Sequence, residues 1–330
     1  MTEALKARGI GGEFEISYNF GSVPVTTDTN PGLENLVWFN AGRSALKQAI
    51  KAVTKKRRIN DVWIPYYTCK SAILPFVRAG LNIHYFSQGS DLQAAPTLPA
   101  NLHDTIILFN HYFGQVNSRL CDYLSKNVHS NVVVIEDAVQ NCMDPKIPAI
   151  GDFIIHGPRK FLPIPDGAAV QSIWDLEEPE AASDENFIAI KILAKQIRSF
   201  VGEQFEDEGI RLNKLAEQRL DQDYQARRLS AYSKNAMSYF DCDALRYKRQ
   251  QNWGCLAEIF SGSPERFGGL RPLFSAMHSD TTPLAFPVVV DKNDRSKIIS
   301  QLAERRIFCP QHWPIDQPEK RNVMPDYQLS

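Results

Sequence analysis

Asn131-Val132-Val133-Val134-Ile135-Glu136-Asp137-Ala138-Val139-Gln140-Asn141 is the stretch from which the fold is read. A continuous apolar run of this kind is what a strand acquires when both faces of its sheet are covered, as in a parallel sheet between helices. Polar residues take over at Glu136 and Asp137, and a carboxamide, Gln140, follows three residues after Asp137. Strand carboxyl ends in a parallel sheet converge on a crevice, so this boundary is where chemistry is sought first.

Working outward, residues 105–109 form a second apolar run, and residues 118–126 between the two runs have helical spacing. Asp61-Val62-Trp63-Ile64-Pro65 and residues 83–86 are short strands, with a helix over 71–79 despite Pro75. After Asn40-Ala41-Gly42-Arg43-Ser44, apolar residues recur at Ala45, Leu46, Ala49, Ile50 and Val53, one face of a helix with Ser44 as its N-cap. This strand–helix–strand rhythm predicts right-handed βαβ units and a mainly parallel sheet flanked by helices, an α/β fold. Residues 1–35, rich in Gly, Thr and polar residues, read as an N-terminal arm.

A chain of 330 residues exceeds what one core usually supports, which predicts a large domain over 36–240 and a smaller C-terminal α/β domain over 241–330. Residues 177–260 are mostly helical, 284–290 are β-like, 295–305 form an amphipathic helix, and 307–313 are extended again. With 37 basic and 38 acidic residues the net charge is −1, and the short Lys55-Lys56-Arg57-Arg58 run reads as a solvated helix end. Nothing in this pattern points to nucleic acid or a membrane surface. No secretory signal and no membrane-length apolar stretch is seen, so a cytoplasmic protein is expected. The six cysteines are scattered without Cys-x-x-Cys spacing or a neighbouring His at ligand distance, so they read as reduced, mostly buried thiols, with no metal site expected.

Beyond Asp137 comes His156-Gly157-Pro158-Arg159-Lys160-Phe161-Leu162-Pro163. Prolines and apolar neighbours would partly desolvate Lys160, lowering its pKa and favouring the neutral amine. Taken singly, Lys160 reads equally as a surface lysine and Asp137 as a helix cap. A Gly42-Arg43-Ser44 turn opening a helix adds backbone N–H groups suited to a phosphate.

At these residues a family resemblance enters. Gly42-Arg43-Ser44-Ala45-Leu46, Asn110-His111-Tyr112-Phe113-Gly114, Glu136-Asp137-Ala138-Val139-Gln140, Gly151-Asp152-Phe153 with Arg159-Lys160, and Ile307 to Pro314 follow the order seen in the DegT/DnrJ/EryC1/StrS aminotransferases. The chain resembles that family over residues 36–316. The resemblance implies the pyridoxal-phosphate (PLP) type I fold, a homodimer with active sites at the subunit interface, and amino transfer from a donor such as glutamate to a nucleotide-linked keto-sugar. It makes pyridoxal 5'-phosphate the cofactor and Lys160 the lysine that bonds it and later shuttles a proton. Asp137 matches the carboxylate facing the pyridinium nitrogen, where an ion pair keeps the ring an electron sink. Gln140 matches the side chain over the ring near its phenolic oxygen; Gly42, Ser44 and Ala45 match the helix start that receives the phosphate. For the stacking aromatic Tyr67 is preferred, with Tyr66 or Cys69 also compatible, and His111 either lines the pocket or is a satisfied core histidine. His312-Trp313 reads as packing.

The chain also departs from the family. Where a phosphate-binding serine usually precedes the lysine it has Ile155, His156, Gly157 and Pro158, and after the lysine it has Asp166-Gly167-Ala168-Ala169 in place of a glycine run. The asparagine that a second subunit lends has no clear match in 230–235. Rival readings are a non-catalytic binding or regulatory relative and, last, a nicotinamide-dependent oxidoreductase, which lacks any Gly-x-Gly-x-x-Gly. Sugar dehydratases of the same fold typically carry histidine in place of the lysine.

Overall fold

The computed structural model describes residues 10–11, 16, 36–96, 98–128, 131–141, 150–200, 205–263, 267–278 and 281–313. Its first strand, β1 (Ile10–Gly11), belongs to a small sheet described below. The first half of the chain then alternates strand and helix: β2 (Val37–Phe39), α1 (Gly42–Lys56), β3 (Asp61–Pro65), α2 (Lys70–Arg78), β4 (Asn82–Phe86), β5 (Thr105–Asn110), α3 (Ser118–Asn127), β6 (Val133–Ala138), β7 (Phe153–His156) and β8 (Ala168–Ser172). These strands form one seven-stranded sheet in the order β2-β8-β7-β6-β5-β3-β4. Strands β3 to β7 pair in parallel, and β8 runs antiparallel between β7 and β2.

Every residue of β5 and of β6 is buried, as the unbroken apolar runs predict. Alternate side chains serve opposite faces. Ile106, Leu108, Val133 and Ile135 pack with Ala45, Leu46, Ala49 and Ile50 of α1 and with Ile73 and Phe76 of α2. Ile107, Phe109 and Val134 pack on the other face with Leu120, Cys121 and Leu124 of α3. Each large apolar side chain so enclosed contributes about 1.5–3 kcal/mol, so the sheet centre is the most firmly held part of the molecule and a rigid base for the strand ends.

The later helices are α4 (Glu185–Phe200), α5 (Glu206–Gln222), α6 (Ala231–Met237), α7 (Cys242–Gly262) and α8 (Lys292–Glu304). Between and after them lie the two-residue strands β9 (Arg271–Pro272), β10 (Val288–Val289) and β11 (Ile307–Phe308). Neither α7 nor α8 buries a residue fully; Trp253, Phe260, Phe267 and Phe286 meet instead in a ring cluster beside α7. β1 pairs in parallel with β11, so residues 10–11 of the expected arm form part of a small sheet with the C-terminal segment. No helix among the described residues is long and apolar enough to cross a membrane.

Several expectations need correction. Helix α1 begins at Gly42 with Ala41 at the cap position and no side-chain cap; Ser44 N–H already donates to Ala41 O at 3.0 Å, which places Ser44 inside the first turn. β6 runs on through Glu136 and Asp137 because these residues remain in register with Phe109 and Asn110 of β5. Within 284–290 only Val288–Val289 is strand. Of the described cysteines only Cys121 is buried, while Cys255 and Cys309 are exposed on the thinly packed C-terminal part; Cys142 lies outside the described residues.

Gly114 closes the turn after β5 at φ +91°, and a Cβ there would meet Thr282 O at 2.3 Å. Gly80 has φ +76° with open space around it. Replacing Gly80 with Ala should therefore cost only the left-handed backbone penalty, about 1–2 kcal/mol, whereas Gly114→Ala adds a backbone clash and should cost clearly more. Urea unfolding at constant m-value measures both; equal shifts in midpoint would contradict the packing at Gly114.

Candidate active site

At the carboxyl ends of β5, β6 and β7, beside the start of α1, lies an open cleft. Gly42, Asp137, Gln140, Gly157, Arg159 and Lys160 line it. Two chain segments must come very close for this to happen. Lys160 ends a short 3-10 turn, Pro158–Lys160, introduced by Gly157. A Cβ on Gly157 would fall 2.8 Å from both Cβ and O of Val139. Only glycine therefore lets the lysine turn lie against the Ala138–Gln140 turn that carries the carboxylate and carboxamide.

Asp137 is the penultimate residue of β6, and its Oδ1 accepts the Val139 N–H at 3.1 Å. Burial raises its pKa, opposed by the Lys160 charge, that hydrogen bond and His111. Burial likewise lowers the pKa of Lys160, opposed chiefly by Asp137. Both groups are thus pushed toward their neutral forms, because desolvation outweighs their attraction. In this state the amine is a better nucleophile than an exposed lysine.

Gln140 is buried, and its Oε1 accepts the Phe113 N–H at 2.7 Å. Phe113 holds a left-handed conformation, φ 57° and ψ 20°, so the carboxamide secures a strained turn at the end of β5. Gly42 lines the cleft together with its neighbour Arg43, whereas Ser44 and Ala45 are buried in the first turn of α1.

His111 is fully buried and is not part of the cleft lining. Its Nδ1 accepts the Asn117 N–H at 3.1 Å, which leaves Nε2 to carry the proton and donate to Glu136 Oε1 at 2.7 Å. Glu136 Oε2 accepts the N–H groups of Ile150 and Gly151 at 3.2 and 3.1 Å. This buried strut braces β5, β6 and the approach to β7, so the geometry matches the satisfied core histidine. Cys121 lies within 4.8 Å of the same ligand atoms, but burial pushes its thiol up to about 12 and both His111 nitrogens are engaged. The trio is therefore core packing.

Tyr67 also lies outside the cleft lining. Its hydroxyl donates to the His312 carbonyl, and burial pushes the phenol up to about 12. Tyr66 is buried edge-on to Tyr85. Arg43 and Arg159 line the cleft without having been assigned roles from the sequence, and so do Cys69, read there as an alternative at the stacking position, and Trp313, read there as packing. Arg159 pairs with Glu217 at 3.3 Å, and Glu217 also receives the buried Lys191 at 2.7 Å. Arg43 pairs with the exposed Asp221. The juxtaposition of Arg43 with Gly42 was visible in the sequence; Trp313 reaches the site only through tertiary folding. His156, where the resembling family offers a hydroxyl nearby, is buried, and desolvation lowers its imidazole to about 4.

No protein-family model matches the chain, and no curated protein sequence matches it. Solved structures do. The aminotransferase TlmJ from Streptoalloteichus hindustanus aligns at TM-score 0.55 and 13% identity over 86% of this chain and 73% of that one. NtdA from Bacillus subtilis, crystallised with bound cofactor PMP, aligns at TM-score 0.57 and 13% identity over 89% of this chain and 65% of its own. The PLP form of Spr1654 from Streptococcus pneumoniae aligns at TM-score 0.54 and 15% identity over 96% and 88%. The seven-stranded sheet with one antiparallel strand is therefore that of the PLP-dependent aminotransferases, the fold that the ordered motifs imply.

Proposed function

We propose that the protein is a PLP-dependent aminotransferase that moves an amino group from an amino acid, glutamate being the expected donor, to a keto-sugar carried on a nucleotide. The observation that carries this reading is the pairing of Lys160 and Asp137 in one desolvated cleft at the strand ends. Neighbours of the same fold described as aminotransferases, with PLP or PMP in two of the structures, support it. On the family resemblance of its motifs it would work as a homodimer, and a cytoplasmic location is the expectation from its sequence.

The residues fit the cofactor. A buried carboxylate raised toward neutrality gains a proton-bearing partner in the pyridine nitrogen, and Asp137 would hold that N–H. The helix α1 start, with no side-chain cap, would offer the Gly42 and Arg43 N–H groups to the phosphate, with the Arg159 guanidinium beside them. Lys160 would hold the aldehyde carbon covalently. Bound there, PLP supplies a ring that accepts electron density from the carbon being deprotonated. Once the donor's amino group has displaced it from the aldehyde carbon, Lys160 Nζ would be the base placed to take the α-proton and to return a proton in the second half of the cycle, with burial shifting its amine toward the neutral form. Gln140, fixed by Phe113 N–H, would limit the tilt of the ring.

A second reading, a binding or regulatory relative without catalysis, draws on the 155–158 stretch, which offers no hydroxyl to a phosphate.

Adding PLP to the purified chain should give a visible absorption band that borohydride fixes as a mass increase on the Lys160 peptide; Lys160→Ala should abolish both. A chain that stays colourless with saturating PLP favours the second reading. The pH dependence of Lys160 itself is also defined in sign. Its neutral form reacts, and its pKa lies below 10.5, so labelling by pyridoxal with cyanoborohydride should reach its plateau below the pH at which exposed lysines do. Asp137→Asn removes a charge that raises the Lys160 pKa, so the midpoint should move further down; a midpoint that rises or stays fixed would show that the two groups do not face each other.

A further inference from the structure

A flat cofactor ring needs a flat surface against it, and the candidate read from the sequence, Tyr67, does not line the cleft. Among the described lining residues the single aromatic ring is Trp313. We propose that Trp313 is the aromatic surface on which the ring of bound PLP rests; this deepens the functional reading above and rests on it.

Trp313 is the front member of a series of tilted ring contacts. Its ring lies 5.1 Å from Tyr67, and Tyr67 lies 5.7 Å from the buried Tyr112. Hydrogen bonds hold these rings in place: Tyr112 OH donates to Tyr67 O at 2.6 Å, with the Gln88 carboxamide 2.8 Å from the same hydroxyl, and Tyr67 OH donates to the His312 carbonyl. The hydroxyl of Tyr67 is thus committed to fixing the chain beside Trp313, and its ring backs the indole. A platform braced in this way loses little further freedom when a ring docks on it.

His312 places the same segment at the cleft from a second direction. Burial lowers its imidazole pKa first, and the Lys160 amine lowers it further. Its ring packs edge-on to Phe113 at 5.2 Å, the residue whose N–H is held by Gln140. The segment after β11 therefore closes over the ends of β5 and β6, where Asp137 and Gln140 lie, and its indole completes the wall.

The test uses the full chain and PLP itself, with affinity measured by equilibrium dialysis. Trp313→Ala should weaken PLP binding about tenfold, as expected for losing one ring contact, and Trp313→Phe should restore most of it. PLP should also quench tryptophan fluorescence, and Trp313→Phe should remove most of that quenching although four other tryptophans remain of the five. Near-ultraviolet circular dichroism of the unliganded variants checks that the fold is kept, and if Trp313→Ala fails that check, Trp313→Phe alone decides through its quenching. Wild-type affinity in Trp313→Ala, or unchanged quenching in Trp313→Phe, overturns the assignment to Trp313 while leaving the PLP reading intact. Failure of the wild-type chain to bind PLP overturns that reading and the assignment together.

Discussion

Removing an amine and a carboxylate from water side by side costs free energy that their attraction only partly returns. At Lys160 and Asp137 the cost prevails, so each is shifted toward its neutral form. Such a pair is a poor way to stabilise a chain. It is a good way to hold a polar aromatic cofactor, because one group can bond an aldehyde while the other meets a ring N–H. Much of the surrounding structure follows from the need to keep the two together. β6 must extend to Asp137 in register with β5, Gly157 must be bare to admit the lysine turn, and Gln140 and the His111–Glu136 strut must hold the strand ends still.

The strands that were legible in the sequence are those buried on both faces or flanked by turns. β3 is found where its five residues suggested, and β5 and β6 show their apolar runs directly. β2, β7 and β8 were not read, because runs of three to five residues carry little pattern; their strand character comes from the neighbours they pair with. The start of α1 was misplaced by three residues because Ser44 is a good cap by chemistry, yet Ala41 occupies that position.

The site was legible unevenly for a similar reason. Motif order singled out Lys160, Asp137, Gln140 and Gly42, and the fold brings these into one cleft. His111 and Tyr67 stood in the same motifs, but a histidine with both nitrogens satisfied, or a tyrosine bonded to a distant carbonyl, looks no different in sequence from one that faces a ligand. Trp313 stood in the last of those motifs but was read as packing, because its place depends on the chain returning from α8 through β11 to the ends of the central strands. The parallel pairing of Ile10–Gly11 with β11 shows the two ends of the described chain contributing to that return.

The most direct test is a crystal structure of the protein soaked with PLP. The account predicts continuous density from Lys160 Nζ to the cofactor and the pyridine nitrogen within hydrogen-bond distance of Asp137. Cofactor bound elsewhere, or bound with its ring nitrogen away from Asp137, would contradict it.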